Sequence, residues 1–150
     1  MTGARRRAWG LAAVTAATAV LVDQGTKQIV VHSLVRGERH KFFLGVDIVN
    51  VRNTGIAFGA LSGAGLAVTL LTIAAVGGLL VYFARHATTP LLWLPVGVIA
   101  GGAAGNFADR IRIGAVVDFI DPVLWPAFNL ADAAIVIGIL GLLYVIERKR

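Results

Sequence analysis

The stretch GGAAGNFADRIRIGAVVDFIDPVLWPAFNLADA, residues 101–133, decides both the fold and the chemistry of this chain. Its flanks, LLWLPVGVIAGGAAG before and AAIVIGILGLLYVI after, are almost wholly apolar. Ionisable groups inside or at the end of a membrane segment are costly, so they indicate function. Two carboxylates held close together by such helices can share one proton and act as an acid/base pair. The polar candidates in this stretch are Asn106, Asp109, Asp118, Asn129 and Asp132, with Asp121 as a sixth.

Composition predicts an integral membrane protein. The 150 residues suggest one domain, and 57% hydrophobic residues with a mean hydropathy of +0.80 are too apolar for a soluble one. The net charge of +6 does not indicate nucleic-acid binding, because the basic residues bracket apolar runs and form no patch with aromatic residues. The chain has no cysteine, which excludes disulfides, thiolate metal sites and a cysteine nucleophile.

The apolar runs predict an all-α fold with four transmembrane helices, at about 8–27, 63–84, 91–107 and 130–146, in a single domain over residues 1–150. Each run approaches the roughly 20 residues that a bilayer demands. The first run follows Arg5–Arg7 and also fits a cleavable signal peptide. An uncleaved helix fits better, because Asp23 and Lys27 follow it with the i, i+4 spacing and order that favour a helical ion pair.

Residues 28–62, between the first and second spans, are too polar to cross a membrane. The β-branched run from Val46 to Val51 indicates a strand, and Gly45, Gly55 and Gly59 indicate turns. We therefore expect a small extracytoplasmic, β-containing segment that lies on the membrane surface.

An even number of spans places both termini on one side of the membrane. The total counts of Lys and Arg tie between the two sides, so orientation depends on the clusters next to helix ends. Arg5–Arg7, Arg85 and Arg148–Arg150 form such clusters and favour the cytoplasm for both termini. The 101–133 region then opens outward.

Four motifs occur in order between these spans: VDQGTK at 22–27, NVRNTGIAFG at 50–59, GNFADRIRIGAVVDF at 105–119 and FNLADA at 128–133. Together they resemble the lipoprotein signal peptidase (signal peptidase II) family, while 36–52 matches only loosely. The resemblance implies a four-helix aspartyl protease of the bacterial inner membrane, which cleaves the signal peptide before the lipid-modified cysteine of prolipoproteins. It assigns Asp118 and Asp132 as the catalytic pair. The matching supporting residues are Asp23, Asn53, Asn106, Asp109, Arg110 and Asn129.

The expected partners are lipid-modified prolipoprotein signal peptides and membrane lipids, with no nucleic acid, and the expected state is a monomer. No cofactor is expected. His32, His40 and His86 show no zinc-ligand spacing. Ser33 and Ser62 have no evident Lys or His partner, which argues against a serine protease.

The chemistry also requires these residue types. One ionised Asp takes a proton from water while a protonated Asp polarises the scissile carbonyl, and two close carboxylates in a poorly solvated site retain one proton. Asp132 opens the fourth helix, where free N–H groups and the helix dipole favour an anion. Asn129 is either a simple N-cap or also holds substrate or a carboxylate. Asn53 is either a turn former or a residue that grips the substrate backbone.

Asp109 and Arg110 are predicted to form structural pairs and to take no part in catalysis. Asp121 is predicted to be a solvated or turn-forming residue, because Pro122 pushes it toward an extended conformation and away from a helix face shared with Asp118.

Two other functions remain as alternatives. A small transporter could use the same Asp residues for protons or cations, although no inverted repeat is visible. A purely structural membrane protein would leave the polar cluster unexplained. Trp9, Trp93 and Trp125 are predicted interface anchors, and Trp125 could also line a lipid-binding surface.

Overall fold

Four helices and a three-stranded sheet make up the described part of the chain. The structure is a computed structural model that describes residues 2–54 and 64–148. The elements in chain order are α1 (Gly3–Ser33), β1 (Arg39–Phe43), β2 (Val46–Asn53), α2 (Ala64–His86), α3 (Trp93–Ile113), β3 (Val116–Pro122) and α4 (Leu130–Glu147). The prediction of a mostly helical protein with a small β segment is confirmed. The predicted turns at Gly55 and Gly59, the start of the second span at Gly63, and the terminal Lys149 and Arg150 lie outside the described residues.

Helix α3 packs closely against α1 and α4 because it presents glycines to both. A Cβ atom on Gly101 would lie 2.5 Å from the carbonyl oxygen of Ala16 in α1, and one on Gly102 would lie 2.6 Å from that of Ala131 in α4. Only a residue without a side chain permits backbones to approach so closely. This contact brings the polar residues of α1, α3 and α4 together.

Helix α2 is the most exposed of the four. Its apolar window, Gly65–His86, has a mean hydropathy of 2.3, and only 6% of that window is buried. A core helix of a soluble protein would be mostly buried, so this exposure favours a lipid environment. The second described helix that is long and apolar enough to cross a membrane is Leu130–Glu147.

A hydrophobic cluster closes the end of the bundle nearest the termini. Phe83 in α2 is fully buried there, and its ring meets that of Trp9 edge-on at 4.8 Å between centroids. The other buried members are Ala8, Ala12, Ala87, Leu92, Val96 and Val145. The polar residues lie toward the other end, so the hydrophobic cluster and the polar residues occupy separate parts of the bundle.

The sheet is antiparallel, with the strand order β1-β2-β3. Strands β1 and β2 form a hairpin whose two turn residues, Leu44 and Gly45, have φ angles of 34° and 79°. Strand β3 returns from α3 and pairs with β2, so that Val116 lies opposite Asn53 and Asp118 opposite Val51.

Strand β3, between the third and fourth helices, was not predicted from the sequence. Helix α3 continues past the expected end at Phe107 to Ile113, and Gly114 ends it with a left-handed φ of 69°. The following Val116–Pro122 is rich in β-branched and apolar residues and finds a partner in β2. The pattern was present in the sequence, but its partner strand is more than 60 residues away.

Candidate active site

The two predicted catalytic carboxylates come from different elements that meet at residue 129. Asp118 is buried in β3, whereas Asp132 lies half-buried in the first turn of α4. The side-chain amide of Asn129 donates to Oδ1 of Asp118 at 2.7 Å. The backbone N–H of Asn129 donates to Oδ2 of Asp132 at 3.2 Å. One residue therefore contacts both carboxylates.

Asn129 is also the N-cap of α4. Its side-chain oxygen accepts from the backbone N–H of Asp132 at 3.0 Å, which completes a reciprocal capping box. The sequence left open whether this residue is a cap or a holder of carboxylate, and the structure shows both roles. The cap fixes the amide orientation, because its oxygen faces the helix and its nitrogen is left to face Asp118.

A second amide contacts the other oxygen of each carboxylate. Asn53, at the end of β2, donates to Oδ2 of Asp118 at 2.9 Å. Asn106, in α3, donates to Oδ1 of Asp132 at 2.7 Å. Amide donors hold a carboxylate in place without neutralising it. The two acids are therefore fixed in orientation while their charge remains available.

A buried ionic cluster centred on Lys27 adjoins the two carboxylates. The sequence analysis paired Lys27 with Asp23 but did not assign it to the site. Its ammonium lies 2.8 Å from Asp23 Oδ2 and 2.9 Å from Asp109 Oδ2, and all three side chains are at most 1% exposed. The ammonium also donates to the side-chain oxygen of Asn106 at 2.9 Å. Because an ammonium only donates, Asn106 must turn its nitrogen toward Asp132.

The carboxylates of this cluster also connect to the elements that carry the pair. Asp23 accepts from the backbone N–H of Ala131, in the first turn of α4, at 3.0 Å. Asp109 accepts from the backbone N–H of Val117, next to Asp118, at 3.3 Å. The cluster therefore anchors α4 and β3 at the positions adjacent to the two acids.

Two further residues that sequence reasoning missed are Gln24 and Arg112. The amide of Gln24 donates to Asp109 Oδ1 at 3.0 Å, and the guanidinium of Arg112 donates to the same oxygen at 2.9 Å. Gln24 and Lys27 both lie in the VDQGTK motif, so the sequence motif already pointed to this segment of α1. Arg112 follows Asp109 by one helical turn, a spacing that indicates an i, i+3 pair.

The structure shows the ion pairs that were predicted for Asp109, and shows none for Arg110 among the described residues. Asp109 forms structural ion pairs with Lys27 and Arg112. Arg110 forms no ion pair with any residue in 2–54 or 64–148, and donates weakly to the backbone oxygen of Asn106 at 3.3 Å. It lies at the rim of an apolar groove of about 320 Å³ between α2 and α3, which is also lined by Thr69, Ile73, Ala103 and Phe107.

Asp121 does not join the pair, although the reason differs from the one predicted. It lies in strand β3, opposite Asp47, and its carboxylate pairs with Arg39, so it is neither a turn former nor a freely solvated group. Alternate residues of a strand point to opposite faces, so positions 118 and 121, an odd number apart, diverge. As expected, this segment is not helical, since it forms strand β3.

The electrostatics of Asp118 suit a shared proton. Burial, helped by the neighbouring charge of Asp132, raises the pKa of this carboxyl to about 6, against the opposing effect of hydrogen bonds from Asn53 and Asn129. At neutral pH the group can therefore exchange a proton with little free-energy cost.

Comparison with known proteins places this arrangement in a family. Residues 15–147 match the family model described as signal peptidase (SPase) II. The chain is 37% identical over 133 residues to the lipoprotein signal peptidase of Halothermothrix orenii, which covers 87% of this chain and 92% of that relative. It is 42% identical over 128 residues to the lipoprotein signal peptidase of Pelotomaculum thermopropionicum, which covers 81% and 82% of the two chains.

The chain belongs to the signal peptidase II family.

Two solved bacterial membrane enzymes share the fold of this signal peptidase II member. One, determined by the in meso method at 1.9 Å, is 31% identical with a TM-score of 0.76, and the match covers 91% of this chain and 92% of that enzyme's chain. The other, at 2.3 Å, is 30% identical with a TM-score of 0.80 and covers 93% and 88%. The expectation of a bacterial membrane peptidase is thereby confirmed, while the roles of individual residues remain predictions.

Proposed function

We propose that Asp118 and Asp132 are the catalytic pair of a peptidase that removes signal peptides from prolipoproteins by cleaving before the lipid-modified, diacylglyceryl cysteine. The observation that carries this proposal is the contact of Asn129 with both carboxylates, at 2.7 Å from Asp118 and 3.2 Å from Asp132. It supports a pair that is fixed in position and shares one proton. The names of the relatives support the substrate class.

In this mechanism the pair carries one proton between two acids. The ionised carboxylate takes a proton from a water molecule, whose oxygen attacks the scissile carbonyl carbon. The protonated carboxyl donates a hydrogen bond to the carbonyl oxygen and stabilises the negative charge that develops there. The proton taken from water then passes to the amide nitrogen as the C–N bond breaks, which releases the new amino terminus and a carboxyl group. The pair again holds one proton.

Neighbouring amides and charges position these groups and do not react. Asn53, Asn106 and Asn129 orient the two carboxylates, and Lys27 with Asp23 and Asp109 fixes the elements beneath them. Preorganised dipoles of this kind require no rearrangement when charge develops. The apolar groove between α2 and α3, with Arg110 at its rim, offers a surface for the apolar part of the substrate.

The membrane arrangement is part of the proposal. All four helices cross the bilayer, α1 and α3 tilting or carrying their charged ends into the interface, and both termini lie in the cytoplasm. The basic residues Arg5–Arg7 and Arg85 sit together near the terminal end of the bundle, where Arg5 donates to the backbone oxygen of Ala84 at 2.5 Å. This grouping supports a cytoplasmic end there and an active site near the opposite, extracytoplasmic surface. The chain acts as a monomer in this proposal.

A cleavage assay tests the function directly. The purified full-length chain, reconstituted in lipid nanodiscs, is incubated with a precursor that carries a diacylglyceryl cysteine and with the same precursor without lipid. Mass spectrometry should show cleavage of the lipidated precursor immediately before the cysteine and little or none of the other. Equal cleavage of both would contradict the proposed substrate, and no cleavage of either would contradict the activity.

A further inference from the structure

The end of the sheet farthest from the catalytic carboxylates carries six exposed apolar side chains, which we name the apolar tip. They belong to the β1–β2 hairpin and to the loop after β3: Phe42, Phe43, Leu44, Val123, Leu124 and Trp125. Their exposed fractions run from 65% for Phe43 to 94% for Leu124. An apolar cluster without charged members on a protein surface indicates a contact with another apolar phase or partner.

The two loops form one surface. The backbone N–H of Val123 donates to the carbonyl oxygen of Gly45 at 2.9 Å. A Cβ on Gly45 would lie 3.5 Å from Cγ2 of Val123. Val46, directly after the turn, pairs with Phe43 in β1 and with Pro122 in β3. The hydrogen bond and the shared strand hold the six side chains at a common edge.

The hairpin turn itself contains a residue that turn chemistry does not favour. Leu44 adopts a φ of 34° at the first of two turn positions, where Asn, Asp or Gly is the usual residue. Its side chain is 88% exposed, so contacts within the protein do not offset the unfavourable backbone conformation. A leucine at this position is accounted for when its side chain is buried in a phase outside the chain.

The position of the tip identifies that phase. Trp125 lies only five residues before α4, whose surface is largely apolar, and the backbone contact of Val123 with Gly45 places the hairpin turn beside the same loop. Lys41, directly before the tip, is exposed and forms no ion pair with a described residue. An exposed cation beside apolar and Trp side chains matches the anionic headgroups and apolar layer of a membrane interface.

The geometry points to the apolar tip as a second membrane contact, inserted among the headgroups and upper acyl chains of the same bilayer that holds the helices. The sheet is then fixed at both ends. At one end the bundle holds it, through the contacts of Asp118 with Asn129 and of Val117 with Asp109, and at the other end lipid holds it. This inference concerns lipid contact alone and does not depend on the proposed reaction.

Site-directed spin labelling tests it, because the chain has no native cysteine. Single-cysteine variants Leu44→Cys and Leu124→Cys of the full-length protein are labelled in nanodiscs of phosphatidylethanolamine and phosphatidylglycerol. A matched control, His40→Cys, lies exposed in β1 away from the turn. Collision rates are measured with oxygen, which concentrates in lipid, and with a water-soluble nickel chelate. The ratio of oxygen to chelate collisions should be at least fivefold higher at residues 44 and 124 than at residue 40.

Two outcomes would overturn the proposal. Chelate accessibility at 44 and 124 equal to that at 40 would place the tip in water. Low accessibility to both reagents would show that a protein surface, such as a second copy of this chain, covers it. A further variant, Leu44→Asp with Leu124→Asp, labelled at Phe43→Cys, should lower the ratio to the control value while its Tm in detergent stays unchanged. An unchanged ratio in that variant would also contradict the proposal.

Discussion

The buried ammonium of Lys27 lies 2.9 Å from the side-chain oxygen of Asn106, two residues from different helices. This contact leaves the nitrogen of Asn106 to face Asp132 at 2.7 Å. A lysine that contacts neither of the proposed catalytic carboxylates therefore determines how one of them is held. We propose Lys27 as a positioning residue.

Replacement of this lysine is expected to affect both fold and activity. Lys27→Met leaves Asp23 and Asp109 buried without their cation and frees the Asn106 amide to turn. Removal of one partner of a buried ion pair costs roughly 3–5 kcal/mol of unfolding free energy. We expect a lower Tm in detergent and a fall in kcat that exceeds any rise in KM. Lys41→Met, at an exposed site, is the control, and wild-type kcat in Lys27→Met would show that Asn106 needs no such support.

The catalytic assignment predicts that Asp118→Asn and Asp132→Asn each abolish cleavage and remain folded. Either change removes an acid that must be able to gain and lose a proton. Asp121→Asn is the matched control, since this residue pairs with Arg39 on the opposite face of β3, and it should keep most of the activity. Cleavage should also persist in the presence of chelators. Substantial turnover by either mutant of the pair would refute the assignment.

The raised pKa of Asp118 predicts a pH dependence. Ionisation with a pKa of about 6 removes the shared proton, so kcat/KM should fall as pH rises through an apparent value near 6 that belongs to the pair. The folded-state pKa exceeds the ordinary value of 3.8, so the protonated form stabilises the fold. That contribution is complete below about pH 4 and is lost as pH rises through 6.

A variant of Asn53 tests whether the alkaline limb of the kcat/KM profile reports the ionisation of Asp118. Its hydrogen bond to Asp118 favours the ionised form and lowers the pKa. Asn53→Ala should therefore move the alkaline limb of the kcat/KM profile to higher pH, whereas Asp121→Asn should leave it in place. A shift to lower pH would mean that the limb reports another group.

Gly105 should tolerate no side chain. A Cβ there would lie 2.6 Å from Oδ2 of Asp23, whose carboxylate is held by Lys27 and by the backbone of Ala131. Gly105→Ala should cost about 1–3 kcal/mol of stability through overpacking and lower the activity, as measured by Tm and cleavage rate. Gly25→Ala, with open space around its Cβ, is the matched control. Equal behaviour of the two variants would show that Asp23 can move without consequence.

The proposed topology predicts the behaviour of reporter fusions. A phosphatase that is active only outside the cytoplasm, fused after Arg150, should stay inactive, whereas the same enzyme fused after Gly37, beyond α1, should be active. Activity is measured in intact cells with protein levels checked by immunoblot. An active fusion after Arg150 would invert the orientation or change the number of spans.

The sequence predicted the helices better than the sheet. Apolar runs bounded by charges mark the four helices, because such runs can be counted along the chain without knowledge of any distant partner. Strand β3 was missed, since its pairing partner β2 lies far away in sequence and local pattern does not identify it. The same reason led to the wrong environment for Asp121, which only the strand pairing brings near Arg39.

The residues of the candidate site were likewise predicted only in part. Residues that touch Asp118 or Asp132, such as Asn53, Asn106 and Asn129, lie in motifs that indicated them. Lys27 was paired correctly with Asp23 by its i, i+4 spacing, but its contact with Asn106 joins two helices that no local spacing relates. Gln24 and Arg112 act through Asp109 alone, so their roles follow only from the packed helices.

The spacing of Asp23 and Lys27 also bears on how the protein is made. In the proposed membrane arrangement, α1 leaves the ribosome long before α3, so Asp109 is not yet present when Lys27 reaches the membrane. Because Asp23 lies one turn before Lys27 in the same helix, the two side chains can neutralise each other during insertion. The nascent helix thus carries its own counter-ion for Lys27, and this lysine gains Asp109 as a second partner only after α3 has been synthesised.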